Sequence, residues 1–179
     1  SHHTAMEYYG VCDQVYYDVY VSSETPFKEF EFDGYTYCYV ASKCKLGIEN
    51  VHYSGGVRIT DKERTTLDSI KDMDKISGIE EVLANIDGFT SLNEEKLTGY
   101  LQEYHNQFLY QKTGFILYPY RDKLGLSHSF FEMCQSKTGK SKRYLTKEFT
   151  NGTYIKEWKL VVPDEIYKLK NGAFQDDRI

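Results

Sequence analysis

Val57-Arg58-Ile59-Thr60-Asp61-Lys62-Glu63-Arg64-Thr65-Thr66-Leu67-Asp68, followed after eight residues by Ser77-Gly78-Ile79-Glu80-Glu81-Val82, is the stretch whose reading decides the fold. Thr60 precedes Glu63 by three residues, Ser77 precedes Glu80 and, further on, Ser91 precedes Glu94. At that spacing a side-chain oxygen accepts one free helix N–H and a carboxylate another, so three successive helix starts are predicted. The apolar residues behind them agree. Leu67, Ile70 and Met73, then Ile79, Val82, Leu83 and Ile86, then Leu97, Tyr100, Leu101 and Tyr104 each form the inward stripe of a helix. A further helix carries Phe108, Leu109, Phe115 and Ile116 and must end near Pro119, whose ring removes a donor. Gly99 and Gly114 count against their helices, each costing about 1 kcal/mol relative to Ala. Ser127 to Lys137 is the last helix, capped by Ser127, with Phe130, Phe131, Met133 and Cys134 for the core.

On both sides of this block the period changes to two. Upstream, a short helix over Thr4 to Tyr9 stops at Gly10, a residue suited to the left-handed stop. Val15, Tyr17, Val19 and Val21 then alternate as a half-buried strand does. Phe30 and Phe32 alternate up to Asp33-Gly34, and Tyr35, Tyr37 and Tyr39 alternate after it. Asp-Gly between such runs predicts a hairpin, because both central turn residues must accept positive φ. Val51 to Tyr53 and Val57 to Ile59 are read as short strands around Ser54-Gly55-Gly56. Downstream, Arg143 to Phe149 and Tyr154 to Val162 are joined through Asn151-Gly152, with Tyr154, Trp158, Leu160 and Val162 on one buried face. Strands, a block of helices, then strands again predict an α+β class, with mainly antiparallel strands at both ends of the chain packed against a central block of four to five helices.

A chain of 179 residues can bury about 70% of its unfolded surface, so residues 1–179 are read as a single domain. Forty per cent apolar and 27% charged residues are globular values that disfavour disorder. The net charge of −5 repels a phosphate backbone, so autonomous DNA binding is disfavoured. The local exception is Lys137, Lys140, Lys142 and Arg143, otherwise a solvated loop. Cysteines 12, 38, 44 and 134 show no paired spacing, which suits a reducing cytoplasm. No run approaches the ~18 to 20 apolar residues of a membrane helix. The chain opens on Ser1, and an expectation of a truncated or processed protein follows.

Catalytic, cofactor and metal sites are not expected. Glu157-Trp158-Lys159 has the Glu-x-Lys spacing of restriction-type, metal-dependent nucleases, whose chemistry also needs an acidic ligand from a preceding strand. Here Pro163-Asp164 follows the pair, and Glu157 and Lys159 fall on the face opposite Trp158, where an exposed cross-strand charge pair explains them without function. Histidines 2, 3, 52, 105 and 128 lack zinc-site spacing. Ser127-His128-Ser129 lacks the strained nucleophile turn. Ser54-Gly55-Gly56 precedes a strand rather than the helix a phosphate cradle needs. The tyrosine-rich strands could stack single-stranded bases, but Asp18, Glu29, Glu31 and Asp33 interleave them with the wrong charge. A protein-interaction module of unknown partner is the blander alternative.

The opening Ser1-His2-His3-Thr4-Ala5-Met6-Glu7-Tyr8-Tyr9-Gly10, the strand Val15 to Val21 and above all the Ile-Thr-x-x-Glu-Arg-Thr-x-x-Asp element within residues 57–82 resemble AbiEi antitoxins of bacterial type IV toxin–antitoxin (abortive infection, phage defence) systems. The likeness runs over roughly residues 1 to 165. It implies a two-part autorepressor: an N-terminal winged helix, missing from this chain, that binds promoter DNA, and a C-terminal domain that neutralises an AbiEii-like nucleotidyltransferase toxin, for which a stable complex is not required. The family-signature residues carried over are Arg58, Thr60, Glu63, Arg64, Asp68 and Gly78. Their own chemistry reads as structural. Thr60 and Glu63 make the capping box, and Arg64 and Asp68, four apart, pair on one helix face for ~0.2 to 0.5 kcal/mol.

Overall fold

A computed structural model describes residues 1–12, 15–42, 44–52, 55–76, 78–147 and 151–168, without the side chain of residue 76. The observed class is α+β. Helix α1 (His3–Tyr8) leads into strand β1 (Asp18–Ser23), followed by β2 (Phe30–Phe32), β3 (Tyr35–Ala41), β4 (Ile48–Asn50) and β5 (Arg58–Thr60). The helical block is α2 (Lys62–Ile76), α3 (Gly78–Gly88), α4 (Glu94–Tyr104), α5 (Gln107–Leu117), a 3₁₀ turn at Tyr118–Tyr120, α6 (Arg121–Leu124) and α7 (His128–Ser136). Strands β6 (Arg143–Tyr144), β7 (Gly152–Ile155) and β8 (Leu160–Pro163) follow.

The Asp33-Gly34 hairpin forms as its chemistry requires, with φ of 51° and 79° at the two turn residues. It pairs β2 antiparallel with β3. The other neighbour of β3 is β1, in parallel register from Asp18 opposite Thr36 to Ser23 opposite Ala41. The outer edge of β1 is closed by α1. His3 Nε2 lies 2.8 Å from the Asp18 carbonyl, and the Tyr20 N–H donates to Thr4 Oγ1 at 3.2 Å. Side chains thus occupy ladder positions that would otherwise invite another strand. β6, β8 and β7 repeat this order, with β6 parallel and β7 antiparallel to the central β8.

Two strand pairings differ from the expected ones. β4 and β5 pair antiparallel from Ile48 opposite Thr60 to Asn50 opposite Arg58, so the first strand of this ribbon lies upstream of Val51 to Tyr53. Tyr53 and Ser54 fall outside the described residues. Downstream, Asn151-Gly152 is not the hairpin turn: Gly152 opens β7 opposite Pro163, and the chain reverses at residues 156–159. Thr150, Phe149 and the end of the predicted strand from Arg143 lie outside the described residues. The reversal is fixed by burial. Trp158, 5% exposed, tucks from the turn against Tyr118 and α5, and sequestering an indole outweighs a dipeptide preference. A Cβ on Gly114 would lie inside the Trp158 ring, which explains a glycine in mid-helix. Tyr154, expected on the buried face, is 45% exposed.

Helix α2 is the axis of the fold and packs against α1, α3, α4 and α5. Leu67, Ile70 and Met73 are fully buried in the continuous core with Leu83, Ile86, Leu97, Leu101, Leu109 and Ile116. Its opposite face carries Asp61, Arg64, Asp68 and Asp72 at helical spacing, and these are buried too. A helix covered on both faces must satisfy its polar side inside the protein. No helix among the described residues is long and apolar enough to cross a membrane.

Candidate functional site

Of the residues singled out in the sequence, Thr60, Glu63, Arg64 and Asp68 gather on or beside that polar face. Asp61, not Thr60, caps α2: its Oδ1 accepts the Arg64 N–H at 2.8 Å. Thr60 instead bonds Thr65, Oγ1 to Oγ1 at 2.7 Å. Glu63 does not close a box but accepts the Asn93 N–H at 2.8 Å, tying α2 to the start of α4. The same offset recurs at α4, where Asn93 rather than Ser91 is the cap, accepting from the Lys96 N–H, and Glu94 receives Ser127 N–H at 2.7 Å. Ser127 does cap α7, through the Phe130 N–H. The third proposed box, Ser77 with Glu80, has its first residue outside the described set. Gly78 opens α3 with φ 73°.

Arg64, 2% exposed, is the centre of the knot. Its Nε donates to Asp68 Oδ2 at 3.0 Å, and its Nη1 to the carbonyls of Cys44 at 2.8 Å and Leu46 at 2.9 Å. The guanidinium carbon sits 5.2 Å from the centre of the Tyr104 ring, and the Tyr104 hydroxyl donates to Asp68. Burial opposes the charge, yet Asp68 and the surrounding acceptors hold the Arg64 pKa above its ordinary value. One rung up, Asp61 Oδ2 accepts from Tyr100 Oη at 2.6 Å and pairs with Lys96 Nζ at 3.0 Å. A planar fork with fixed donors suits a site that offers one carboxylate and two carbonyls. Thr60, Glu63, Arg64 and Asp68 are therefore brought together, whereas Arg58 is exposed on β5 beside a mainly apolar cleft of about 530 Å³.

The other sequence candidates are dispersed. Glu157 is exposed in the β7–β8 turn, and Lys159 donates back to the Gly139 carbonyl at 3.1 Å. Neither lies on a strand, so the nuclease alternative loses the geometry on which it rested. His128 is exposed and 3.5 Å from Glu132, and His105 ends α4 in a left-handed conformation. His2 and His3 are buried, His2 Nε2 lying 3.4 Å from Asp72. Among the described residues no group of three or more His, Cys, Asp or Glu is placed to hold a metal ion. Lys137 and Lys140 are exposed, and Lys142 lies over the Tyr154 ring at 5.4 Å.

Arg143 is the member of that basic run that reaches a cavity. Two adjoining hollows lie between the C-terminal half of α2, the end of β3, the α4–α5 junction and β6, of about 180 and 830 Å³, sharing Lys71, Asp72, Lys75, Asn106 and Phe108. Lys112 and Lys147 line the smaller hollow and Arg143 the larger. Five cations thus face two carboxylates, Asp72 and Asp74. Both carboxylates are committed: Asp72 to Lys71, Lys75 and His2, and Asp74 to Lys112 at 3.8 Å and the Lys147 N–H at 3.4 Å. Burial works against the Asp72 charge, but His2 and Lys71 hold its carboxyl well below the usual range. For Lys112, 3% exposed, burial prevails and lowers the pKa despite Asp74. The Phe108 ring lies 4.8 Å from Lys112 Nζ and 5.8 Å from the Arg143 guanidinium.

Cations outnumber carboxylates along this groove, an excess that favours an anion over a cation. Its residues are scattered from 40 to 147, so no local motif announces it. The one usable signal is Lys112, a charged residue flanked in sequence by the core-facing Leu109, Phe115 and Ile116. Comparison with known protein families, with curated proteins and with solved structures finds no match.

Proposed function

We propose that this chain is the antitoxicity domain of an AbiEi-type antitoxin and transcriptional autorepressor, working in the bacterial cytoplasm by recognition rather than by bond-making. Its functional counterpart is an AbiEii-like nucleotidyltransferase toxin, and promoter reading falls to a winged-helix part outside residues 1–179. The observation that supports the reading is the use of the shared motif. Thr60, Glu63, Arg64 and Asp68 all enter one buried polar knot that joins α2 to the loop before β4 and to α4. A motif whose polar members define packing identifies a fold, and it leaves the surface for the partner.

Co-expression tests it. Growth arrested by the neighbouring nucleotidyltransferase-like toxin is expected to recover when the full-length protein is expressed, and that protein is expected to retard its own promoter DNA. Soluble, folded protein that does neither would remove the proposal.

A further inference from the structure

We infer that the cationic groove between α2, the α4–α5 junction and β6 is a binding site for a small polyphosphate-bearing ligand of the nucleoside polyphosphate class. The phosphates sit at the Lys112 end and the organic part lies in the wider hollow beside Phe108. This goes beyond the antitoxin reading and does not depend on it.

Charge is the first argument. In a chain of net charge −5, five cations converge on one groove whose two carboxylates are already paired. Arg143 and Lys147 are exposed and make no ion pair with a carboxylate among the described residues. Four ammoniums and a guanidinium that lack enough internal counter-charge fit an external polyanion.

Depth is the second argument. Lys112 is 3% exposed at the wall of the small hollow, with Asp74 at 3.8 Å as its near counter-charge and Asp72, already shared with Lys71, Lys75 and His2, as the further one. Burying an ammonium with so little compensation is costly, and an apolar side chain would serve packing better. A phosphate entering the hollow supplies the missing charge.

Shape chooses among anions. The smaller hollow, about 180 Å³, shares part of its lining with one of about 830 Å³, which falls within the size of small-molecule sites. A terminal phosphate can enter a recess in which the ammonium is nearly covered, whereas a continuous duplex backbone rides on exposed cations. Phe108 and Tyr104 offer aromatic surface, and Asn106 and Gln107 offer amides, in or beside the wider part.

Calorimetric titration of the 179-residue protein with GTP, ATP, inorganic tripolyphosphate and a single-stranded 20-mer decides the matter. Saturable one-to-one binding of the nucleotides is expected, with tripolyphosphate competing for the same site. Lys147→Ala and Arg143→Ala, both at exposed positions, should each weaken nucleotide binding about tenfold, the equivalent of ~1.4 kcal/mol. Lys112→Met should weaken it at least as much without lowering the thermal midpoint. Lys137→Ala, outside the groove, should leave it unchanged. Absence of saturable binding at millimolar nucleotide would overturn the inference. So would nucleotide affinity unaffected by Lys112→Met and Lys147→Ala, or an oligonucleotide that alone binds, with an affinity indifferent to Lys112.

Discussion

Replacing Arg64 with Met keeps the length and apolar stem of the side chain and removes its donors, so it isolates what the guanidinium does. In the structure that group serves Asp68, Cys44 and Leu46 at 2.8 to 3.0 Å. Its loss takes a donor from the Cys44 carbonyl, which Ser42 Oγ also serves at 3.1 Å, and from the carbonyl of the exposed Leu46, so the cost stays toward the low end of the about 1 to 3 kcal/mol of an unsatisfied group. It also removes the cationic partner of Asp68, a class of change that costs about 3 to 5 kcal/mol. The Tyr104 hydroxyl still reaches Asp68, and the effects overlap, so the working figure is ~4 kcal/mol. For a chain of this size that lowers the thermal midpoint by roughly 8 to 16 °C. Arg64→Lys should recover little, because one ammonium cannot span the three acceptors. Urea unfolding read by circular dichroism measures the loss. In Arg64→Met with Asp68→Asn the carboxylate is no longer charged, and the double variant should be less damaged than the two single losses added. An Arg64→Met protein within ~1 kcal/mol of the parent that nevertheless fails to rescue growth would refute the reasoning. The arginine would then be a contact residue and not the centre of a knot.

Gly114→Ala should destabilise by ~1 to 2 kcal/mol in the same urea assay, because overpacking against Trp158 exceeds the ~1 kcal/mol that alanine brings to a helix; stabilisation instead would mean the indole is not there. Asp72→Asn should cost ~2 kcal/mol at pH 7. The folded-state pKa of Asp72 is depressed, so its contribution is present above the unfolded value near 4 and fades as pH falls below it, and unfolding curves of parent and variant should converge in acid. Cys134, fully buried and with its thiol pushed up by burial to about 12, should react with a thiol reagent only at the rate of unfolding, and Cys44 likewise; rapid labelling of either in native buffer would contradict the packing. Tyr104→Phe removes the hydroxyl bond to Asp68 but keeps the ring beside Arg64 and Lys71, so a loss of ~1 kcal/mol is expected, with nucleotide affinity retained within twofold in the calorimeter.

What the sequence discloses is what is locally caused. Asp33-Gly34 is legible because the demand for two positive φ angles lies within two residues. The stripe Leu67, Ile70, Met73 is legible because periodicity reports an apolar face. Periodicity says nothing about the opposite face, so the burial of Arg64, Asp68 and Asp72 does not show until the loop before β4 and α4 are seen covering it. Helix starts were legible and their caps were not. Asp61 and Asn93 are caps at least as good as Thr60 and Ser91, and Glu63 and Glu94 find better acceptor roles on Asn93 and Ser127. The turn at residues 156–159 depends on where Trp158 is buried, a tertiary fact that Asn151-Gly152 cannot anticipate. The two parallel pairings, β1 with β3 and β6 with β8, depend on which edge each returning strand takes. The groove is hidden for the same reason, its cations coming from three separate segments of chain.

The knot and the groove are successive turns of one helix. Arg64 and Asp68 belong to the first, Lys71, Asp72 and Lys75 to the second, and Tyr104 touches both. Its hydroxyl holds Asp68, its ring faces Arg64 at 5.2 Å and Lys71 at 5.9 Å, and it lines the larger hollow. The carbonyls of Cys44 and Leu46 fix Arg64, which pairs with Asp68. A long flexible ammonium is a poor recognition element unless the helix beneath it is immobile, and α2 is immobilised at its polar face by charge and at its apolar face by Leu67, Ile70 and Met73. Burying costly polar groups along α2 is thus consistent with what the second half of the helix requires: cations presented at fixed positions to an anion, in a protein whose overall charge would otherwise turn that anion away.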